Sequence, residues 1–210
     1  MINNSLKLFF SQYSPPARGV YLVSKALNLD LTLVDVNILS KAYLIPELVS
    51  INPQHTIPTL QDGSFVVWDS HAIAGYLVGM YGKDDMLYPK DPKKRATIDQ
   101  RLHFDTENLF PKVVEAIYPI LFRGKTAVPS NLRESIKRSY GFLEKFLKKK
   151  VWLAGNDLTI ADLCCVSSIK KCKQLPYYQE ANQRGLDMLG SKIQERLVET
   201  YVRNLTIKND

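Results

Sequence analysis

The 210 residues have an apolar share of 45% and a charged share of 23%, which is typical of a globular protein and excludes disordered, collagen-like and coiled-coil classes. No apolar run reaches the ~18 residues of a membrane-spanning helix, and the N-terminus lacks a signal-peptide pattern. The three cysteines, Cys164, Cys165 and Cys172, form neither a disulfide framework nor a metal-ligand spacing. We therefore expect a reduced, cytoplasmic protein without a bound metal.

Lysine and arginine exceed aspartate and glutamate by seven. Such an excess can indicate a nucleic-acid partner or an anionic membrane. We interpret the excess of basic residues as spread along the chain, apart from two clusters, Lys148–Lys150 and the group Lys170, Lys171 and Lys173. Neither cluster alternates with base-stacking aromatic residues. We expect no nucleic-acid and no membrane partner, and the charge fits an attraction for small anionic ligands equally well.

The first 84 residues alternate short apolar runs with amphipathic helical patterns. Helices are predicted after Pro15-Pro16 and from Asp69-Ser70 onward, because apolar residues recur there at helical spacing. The predicted strands are 6–10, 31–36, 57–60 and 65–67, and a weak helix over 42–50 carries Pro46 at its centre. The order β-α-β-α-β-β-α, with a parallel pair followed by a hairpin, predicts a thioredoxin-like α/β layer.

The sequence pattern changes after residue 84. A polar, proline-punctuated stretch over 85–92 is typical of an interdomain linker, and no strand pattern follows it. Helices are predicted over 93–123, over 130–149 and from Thr159 onward. We therefore predict an α/β thioredoxin-like N-terminal domain (1–84), a linker (85–92) and an all-α C-terminal domain (93–210).

Ser14 lies between the end of the first strand and a helix that begins with two prolines. A hydroxyl at this place lies near the N–H groups and the positive end of the helix dipole, where an anion or a thiolate is stabilised. The alternative is a plain N-cap, which is the commoner role of serine at a helix start. A hydrolase triad is not favoured, since no G-x-S-x-G motif surrounds this serine.

Two further motifs could meet a ligand that resembles an amino acid. The Ile57-Pro58 bond precedes a strand and is a candidate cis peptide that would present the Ile57 amide and carbonyl, although a trans edge-strand proline is equally compatible. Asp69 and Ser70 open the next helix, where a carboxylate suits an ammonium and a hydroxyl beside free N–H groups suits a carboxylate. A plain helix cap is again the alternative.

Taken in order, these motifs resemble a cytosolic glutathione transferase of the insect epsilon class. The resemblance runs from about Leu8 to Asn182. It is carried by SPPARG from Ser14, NPQHTIPTL from Asn52, WDSHAIAGYLV from Trp68, the stretch 81–105, WLAGNDLTIADL from Trp152 and QLPYYQEAN from Gln174.

The resemblance implies a homodimer that uses glutathione as co-substrate, without a metal, and conjugates it to hydrophobic electrophiles in detoxification. It implies that the Ser14 hydroxyl bonds the glutathione sulfur and favours the thiolate, which is the nucleophilic form. Glutathione-binding residues implied in the same way are the glycyl contact His55, the cysteinyl contacts Ile57 and Pro58, and Asp69, Ser70 and His71 around the γ-glutamyl end.

The electrophile of relatives lies between the first domain and the helix predicted over 93–123. On that helix we expect Phe110, Val114 and Tyr118 to face the cleft, with Lys112 near its mouth, although core packing is the alternative for each apolar residue. Tyr43 and Lys112 replace a histidine and an arginine of many relatives, and a helix-sized stretch is missing after Ile169. The alternative functions are a non-catalytic binder of glutathione or hydrophobic ligands and a steroid-pathway relative.

Overall fold

The structure is a computed structural model and describes residues 6–40 and 44–170. Tyr43, Cys172, the lysines at 171 and 173 and the motif that begins at Gln174 lie outside these residues. So does the segment after Lys170 in which the sequence indicates a deletion, and the predictions made for these positions stay predictions.

Four strands in the described residues form one mixed sheet with the order β2-β1-β3-β4. Strand β1 pairs parallel to β2 and antiparallel to β3, and β4 closes a hairpin with β3. The strands are β1 (Lys7–Phe10), β2 (Thr32–Asp35), β3 (Thr59–Asp62) and β4 (Phe65–Trp68). The predicted parallel pair and hairpin are therefore confirmed, with β3 beginning just after Pro58.

Helices cover both faces of this sheet because successive strand residues point to opposite sides. Leu8 faces α1 (Pro15–Ala26) and α3 (Ser70–Tyr81), whereas Phe9 faces α2 (Pro46–Ile51). The predicted helix over 42–50 is wrong in one respect. Pro46 occupies the first turn of α2, where its missing N–H leaves no hydrogen bond unmade, so the proline begins the helix and does not interrupt it.

The second half of the described chain is helical. It contains α4 (Pro92–Phe104), α5 (Phe110–Arg123), α6 (Ser130–Leu147) and α7 (Ile160–Lys170). The helical stretch predicted over 93–123 is confirmed, but one π-helical turn over Asp105–Leu109 divides it into α4 and α5. Such turns are rare in proteins, and those that do occur are often found at functional sites.

The α/β layer and the helices share one apolar core. Val20 of α1, Ile73 of α3, Ile98 of α4 and Leu163 of α7 are all buried in the same cluster. Helices α1 and α7 approach closely at Gly19, where an added Cβ would lie 3.3 Å from the Cα of Cys164. A side chain at this position would push α7 away from the layer.

A buried carboxylate fixes the start of α7. Asp162 is fully buried, and its Oδ1 accepts the Leu153 N–H at 2.8 Å. Its Oδ2 accepts both the N–H and the hydroxyl of Thr159, each at 2.9 Å. Burial raises the pKa of Asp162 to about 6, although these hydrogen bonds oppose the rise.

We expect Asp162→Ala to lower the melting temperature strongly, because three buried donors lose their acceptor at about 1–3 kcal/mol each. Asp157→Ala is the matched control, since Asp157 is exposed in the preceding loop. Thermal unfolding followed by circular dichroism measures both variants. Equal melting temperatures would show that the Asp162 carboxylate does not anchor the loop.

Candidate active site

One cavity of about 320 Å³ lies between the α/β layer and the π-helical turn. Its wall combines the start of α1, the loop before β3, the start of α3, and the junction of α4 with α5. The lining residues are Ser14, Pro16, Gln54, Thr56, Ile57, Pro58, Trp68, Asp69, Ser70, His71, Asp105, Thr106 and Phe110. Seven residues predicted from the sequence for the site, from Ser14 to Phe110, therefore meet at one place.

Ser14 is the N-cap of α1. Its Oγ accepts the Ala17 N–H at 3.4 Å, and the residue is buried at the cavity wall. A hydroxyl has one proton to donate and two lone pairs to accept with. Capping uses a lone pair only, so the predicted cap is present and the hydroxyl proton remains available to a ligand.

The expectation of free N–H groups at this helix start is wrong. Pro15 and Pro16 fill the first two positions of α1 and carry no N–H, and Ser14 itself caps the N–H of Ala17. The Ser14 hydroxyl is therefore the hydrogen-bond donor that this helix start offers to the cavity. The helix dipole, which arises from all the peptide units, still favours an anion here.

The peptide bond between Ile57 and Pro58 is cis, as the sequence suggested. Both residues line the cavity. The side chain of Asn52 holds the loop that precedes them, because its amide donates to Thr56 and, at 2.8 Å, to the Thr59 hydroxyl. The Asn52 side chain is fully buried, so it anchors the loop to the protein interior, while Ile57 on the same loop faces the cavity.

Asp69 is the N-cap of α3, as the sequence predicted. Its Oδ1 accepts the N–H groups of His71 and Ala72 at 2.9 and 3.1 Å. Asp69 has a φ of 72°, a region that side chains other than glycine rarely adopt and that is frequent at functional sites. The second oxygen, Oδ2, takes no part in the cap, and Ser70 follows at the first position of the helix.

His71 forms an ion pair across the cavity floor. Its Nε2 lies 3.3 Å from Asp105 Oδ2, and its Nδ1 lies 3.1 Å from the hydroxyl of Thr106. The Thr106 hydroxyl donates to the Leu102 carbonyl, so it accepts from Nδ1, and both ring nitrogens donate. This pattern is that of the charged imidazolium.

The pKa of His71 agrees with this assignment. Burial by itself lowers it, but the hydrogen bond to Asp105 and the charge of that carboxylate outweigh burial and raise the pKa of His71 well above the ordinary 6.5. Burial raises the pKa of Cys164, so that side chain stays a neutral thiol. Asp105 is 5% exposed, and its other oxygen, Oδ1, has no hydrogen-bond partner within 6–40 and 44–170.

Sequence reasoning missed several lining residues. Asp105 and Thr106 come from the π-helical turn, and Gln54, Thr56 and Trp68 flank motifs that it did identify. A carboxylate two residues after the exposed His103 gives no signal of its own, because an undisturbed helix would place it like any other polar residue. The Asp105 N–H still bonds the Arg101 and Leu102 carbonyls of α4, so the π-helical turn displaces the residues that follow Asp105.

Other predicted residues do not line this cavity. His55 is exposed at the tip of the loop between Gln54 and Thr56, and Val114 and Tyr118 are exposed farther along α5. Lys112, which was expected near the mouth of the cleft, does not line this cavity either, and its ammonium donates to the buried Ser139 hydroxyl of α6 at 2.8 Å. Burial and the charge of Arg138 lower the pKa of Lys112.

Across residues 6–40 and 44–170, no group of three or more His, Cys, Asp or Glu side chains is placed to hold a metal ion. Within the same part of the chain, every helix is too short or too polar to cross a bilayer.

The structure thus combines a thioredoxin-like layer, a set of helices and a cavity with polar lining residues at their junction. Comparison with known proteins gives the family. The model of the glutathione S-transferase N-terminal domain matches residues 13–78, and that of the C-terminal domain matches residues 97–182.

Comparison with individual proteins gives the same family as the two domain models. The chain is 43% identical to glutathione S-transferase 1 of Manduca sexta, over 91% of this chain and 99% of the relative. An epsilon-class glutathione S-transferase structure from the housefly Musca domestica is 41% identical, with a TM-score of 0.75 and coverage of 91% and 98%. A glutathione transferase homologue of Drosophila mojavensis with bound glutathione is 38% identical, with a TM-score of 0.75 and coverage of 92% and 98%.

The chain belongs to the glutathione S-transferase family and is similar to its insect members. As a member of that family it is an enzyme that conjugates glutathione, and detoxification is the usual role of the family.

The charge on His71 predicts a pH dependence of stability. Its pKa is raised in the folded protein above the ordinary 6.5, so its contribution is fully present below pH 6.5 and is lost as the pH rises to about 10. We expect the melting temperature to fall more between pH 7 and pH 10 in the wild type than in His71→Gln. His103→Gln, an exposed histidine on α4, should behave like the wild type, and identical pH profiles for all three proteins would contradict the charge assignment.

Proposed function

We propose that this cavity binds glutathione, holds its sulfur as the thiolate at Ser14 and transfers it to a hydrophobic electrophile. The observation that carries the proposal is the meeting of three polar features around one cavity. These are the hydroxyl of Ser14, Ile57 with its cis peptide bond to Pro58, and the acid-hydroxyl-imidazolium sequence from Asp69 to His71. They match in order the sulfur, the cysteinyl peptide and the γ-glutamyl end of the tripeptide.

Ser14 activates the thiol by donating its hydroxyl proton in a hydrogen bond to the sulfur, which favours the thiolate over the thiol. Lowering a thiol pKa by two units from ~8.5 requires about 2.7 kcal/mol of preferential binding. One positioned donor together with the α1 dipole supplies energy of this order. The thiol proton passes to water. The thiolate then attacks the electrophilic carbon and a C–S bond forms, while the electron pair leaves with the departing group or moves into the conjugated acceptor, which takes a proton from water.

The start of α3 binds the γ-glutamyl end. Asp69 caps the helix with Oδ1 and offers Oδ2 to the ammonium. The Ser70 hydroxyl donates to the α-carboxylate, which the charge of His71 also attracts. The exposed His55 contacts the glycyl carboxylate at the other end of the ligand.

The electrophile binds along α5. Phe110 lies in the cavity wall, and Val114 and Tyr118 follow at intervals of four residues, so the three share one helix face. Val114 and Tyr118 are 39% and 46% exposed, which favours a surface for an apolar ligand over core packing. Lys112 lies off this face and is not part of the proposed acceptor site.

The remaining assignments follow the family resemblance. We place the domain boundaries at 1–84 and 93–210, assign the chain to the epsilon class, and propose a cytoplasmic homodimer. The alignment with the Manduca protein spans 215 positions but includes only 91% of this 210-residue chain, so that relative has residues without a counterpart here. This observation favours the second candidate function, a weakly active binding protein, if the missing residues belong to the acceptor site.

Conjugation of chlorodinitrobenzene separates the two functions, since an enzyme produces the conjugate faster than free glutathione does and a binding protein does not. Within this assay, Ser14→Ala should lower kcat by roughly 10- to 1,000-fold through loss of the positioned donor. It should also lower the melting temperature, because alanine is a poor N-cap.

Ser14→Gly is the matched control for the cap, since glycine at an N-cap costs only a few tenths of a kcal/mol. We expect it to lose as much kcat as Ser14→Ala while keeping most of the stability. Wild-type turnover in the glycine variant would show that another group activates the thiol.

Asp69→Asn tests the γ-glutamyl site. Asparagine is as good an N-cap as aspartate, so the melting temperature should hardly change. The affinity for glutathione should fall by about 10- to 100-fold, because a hydrogen bond to a charged group contributes about 1.5–3 kcal/mol. Isothermal titration calorimetry measures this affinity.

Asp91→Asn is the control for this variant, because Asp91 caps α4 through Lys94 N–H in the same way and lies outside the cavity. It should bind glutathione like the wild type. An unchanged affinity in Asp69→Asn would leave this aspartate with its capping role alone.

A further inference from the structure

The positive charge of the chain is concentrated in one segment. Residues 121–151 contain nine lysines and arginines and only two glutamates, so this segment alone accounts for the excess of seven in the whole sequence. The remaining residues carry equal numbers of basic and acidic side chains. The expectation that the excess is spread along the chain therefore does not hold.

Helix α6 presents much of this charge on one side. Its buried face consists of Leu132, Ile136, Tyr140, Leu143 and Leu147. With 100° between successive residues, Arg138 and Lys145 lie on the opposite face together with Glu134, and Lys137 and the capping Lys148 lie at the edge of that face, whereas Arg133 flanks the buried face. These cations are exposed, and none forms an ion pair with another residue of 6–40 or 44–170.

Apolar side chains accompany the cations at the C-terminal end of α6. Phe142 is 43% exposed, and the ammonium of Lys145 lies 5.5 Å from the centre of its ring. Val151 follows Lys150 and is 49% exposed. Exposed apolar side chains beside lysines are typical of protein surfaces that lie on a bilayer, where the chains enter the headgroup region and the cations stay at its surface.

The backbone at this end also favours a role for the charge. Lys149 has a φ of 63°, the left-handed conformation that glycine usually provides after a helix. A lysine there is less stable than a glycine. Complementing the α6 dipole does not require it, since Lys148 and Lys150 lie at the same helix end.

We propose that the basic surface formed by the outer face of α6 and residues 148–151 binds anionic phospholipid membranes. The complementary charges attract the protein to acidic headgroups, and Phe142 and Val151 add apolar contact. A nucleic acid fits less well, because stacking needs free aromatic faces, whereas the Phe142 ring packs edge-on with Phe104 and Val151 has no ring. The surface places the protein where hydrophobic electrophiles accumulate.

The test is sedimentation of the full-length protein with vesicles of phosphatidylcholine, with or without about a third of phosphatidylserine. We expect binding to the anionic vesicles only, weakened by salt. Replacing Lys148, Lys149 and Lys150 by glutamine should weaken this binding by at least about tenfold. Conjugation measured without vesicles should stay unchanged, since these residues lie outside the candidate active site.

The matched control replaces the exposed Lys83, Lys93 and Lys94 by glutamine, which changes the net charge equally, and it should bind like the wild type. Lys149→Gly should raise the melting temperature and weaken binding, which separates the lipid contact from folding. Equal binding to neutral vesicles, no binding at all, or equal weakening in the control would overturn the proposal. Binding of single-stranded RNA in place of vesicles would overturn it in favour of a nucleic-acid partner.

Discussion

The ion pair between His71 and Asp105 is the contact on which the architecture of the site depends. It connects the first turn of α3 in the α/β layer with the π-helical turn between α4 and α5. Both side chains are largely buried, and a buried charge is tolerated only where an opposite charge and hydrogen bonds compensate it. The charge of His71 on α3 is therefore compensated by Asp105 on the π-helical turn, and the charge of Asp105 by His71. Either charge alone would be buried without a partner.

The capping side chains at the starts of α1 and α3 also serve two purposes. Ser14 and Asp69 each cap a helix with one acceptor, and the cap leaves a second hydrogen-bonding function of each side chain unused. The structural and the chemical interpretations of these residues are therefore not alternatives. A helix start supplies a fixed backbone, a favourable dipole and a side chain already oriented by its cap, which is the preorganisation that binding a small charged ligand requires.

Much of this could be predicted from the sequence, since apolar periodicity and turn residues are local signals. They gave the strands, the hairpin and the helix starts at Pro15 and Ser70, and the resemblance gave the family. Errors arose where a tertiary feature decides the outcome. The extra residue of the π-helical turn has no sequence signature, and Lys112 was placed by analogy with an arginine although the buried hydroxyl of Ser139 holds it on the other side of the helix.

The two prolines at the start of α1 have a consequence for selectivity. Phosphate and sulfate bind at helix starts because several backbone amides converge on their oxygens. Here Pro15 and Pro16 remove two of those amides and Ser14 occupies the next, so an oxyanion finds a dipole but too few donors to replace its hydration. A thiolate is larger and more weakly hydrated than phosphate. It therefore gives up less hydration free energy on binding, and one hydroxyl donor satisfies it. The pocket can thus remain available to a thiol in a cell rich in inorganic phosphate and nucleotides.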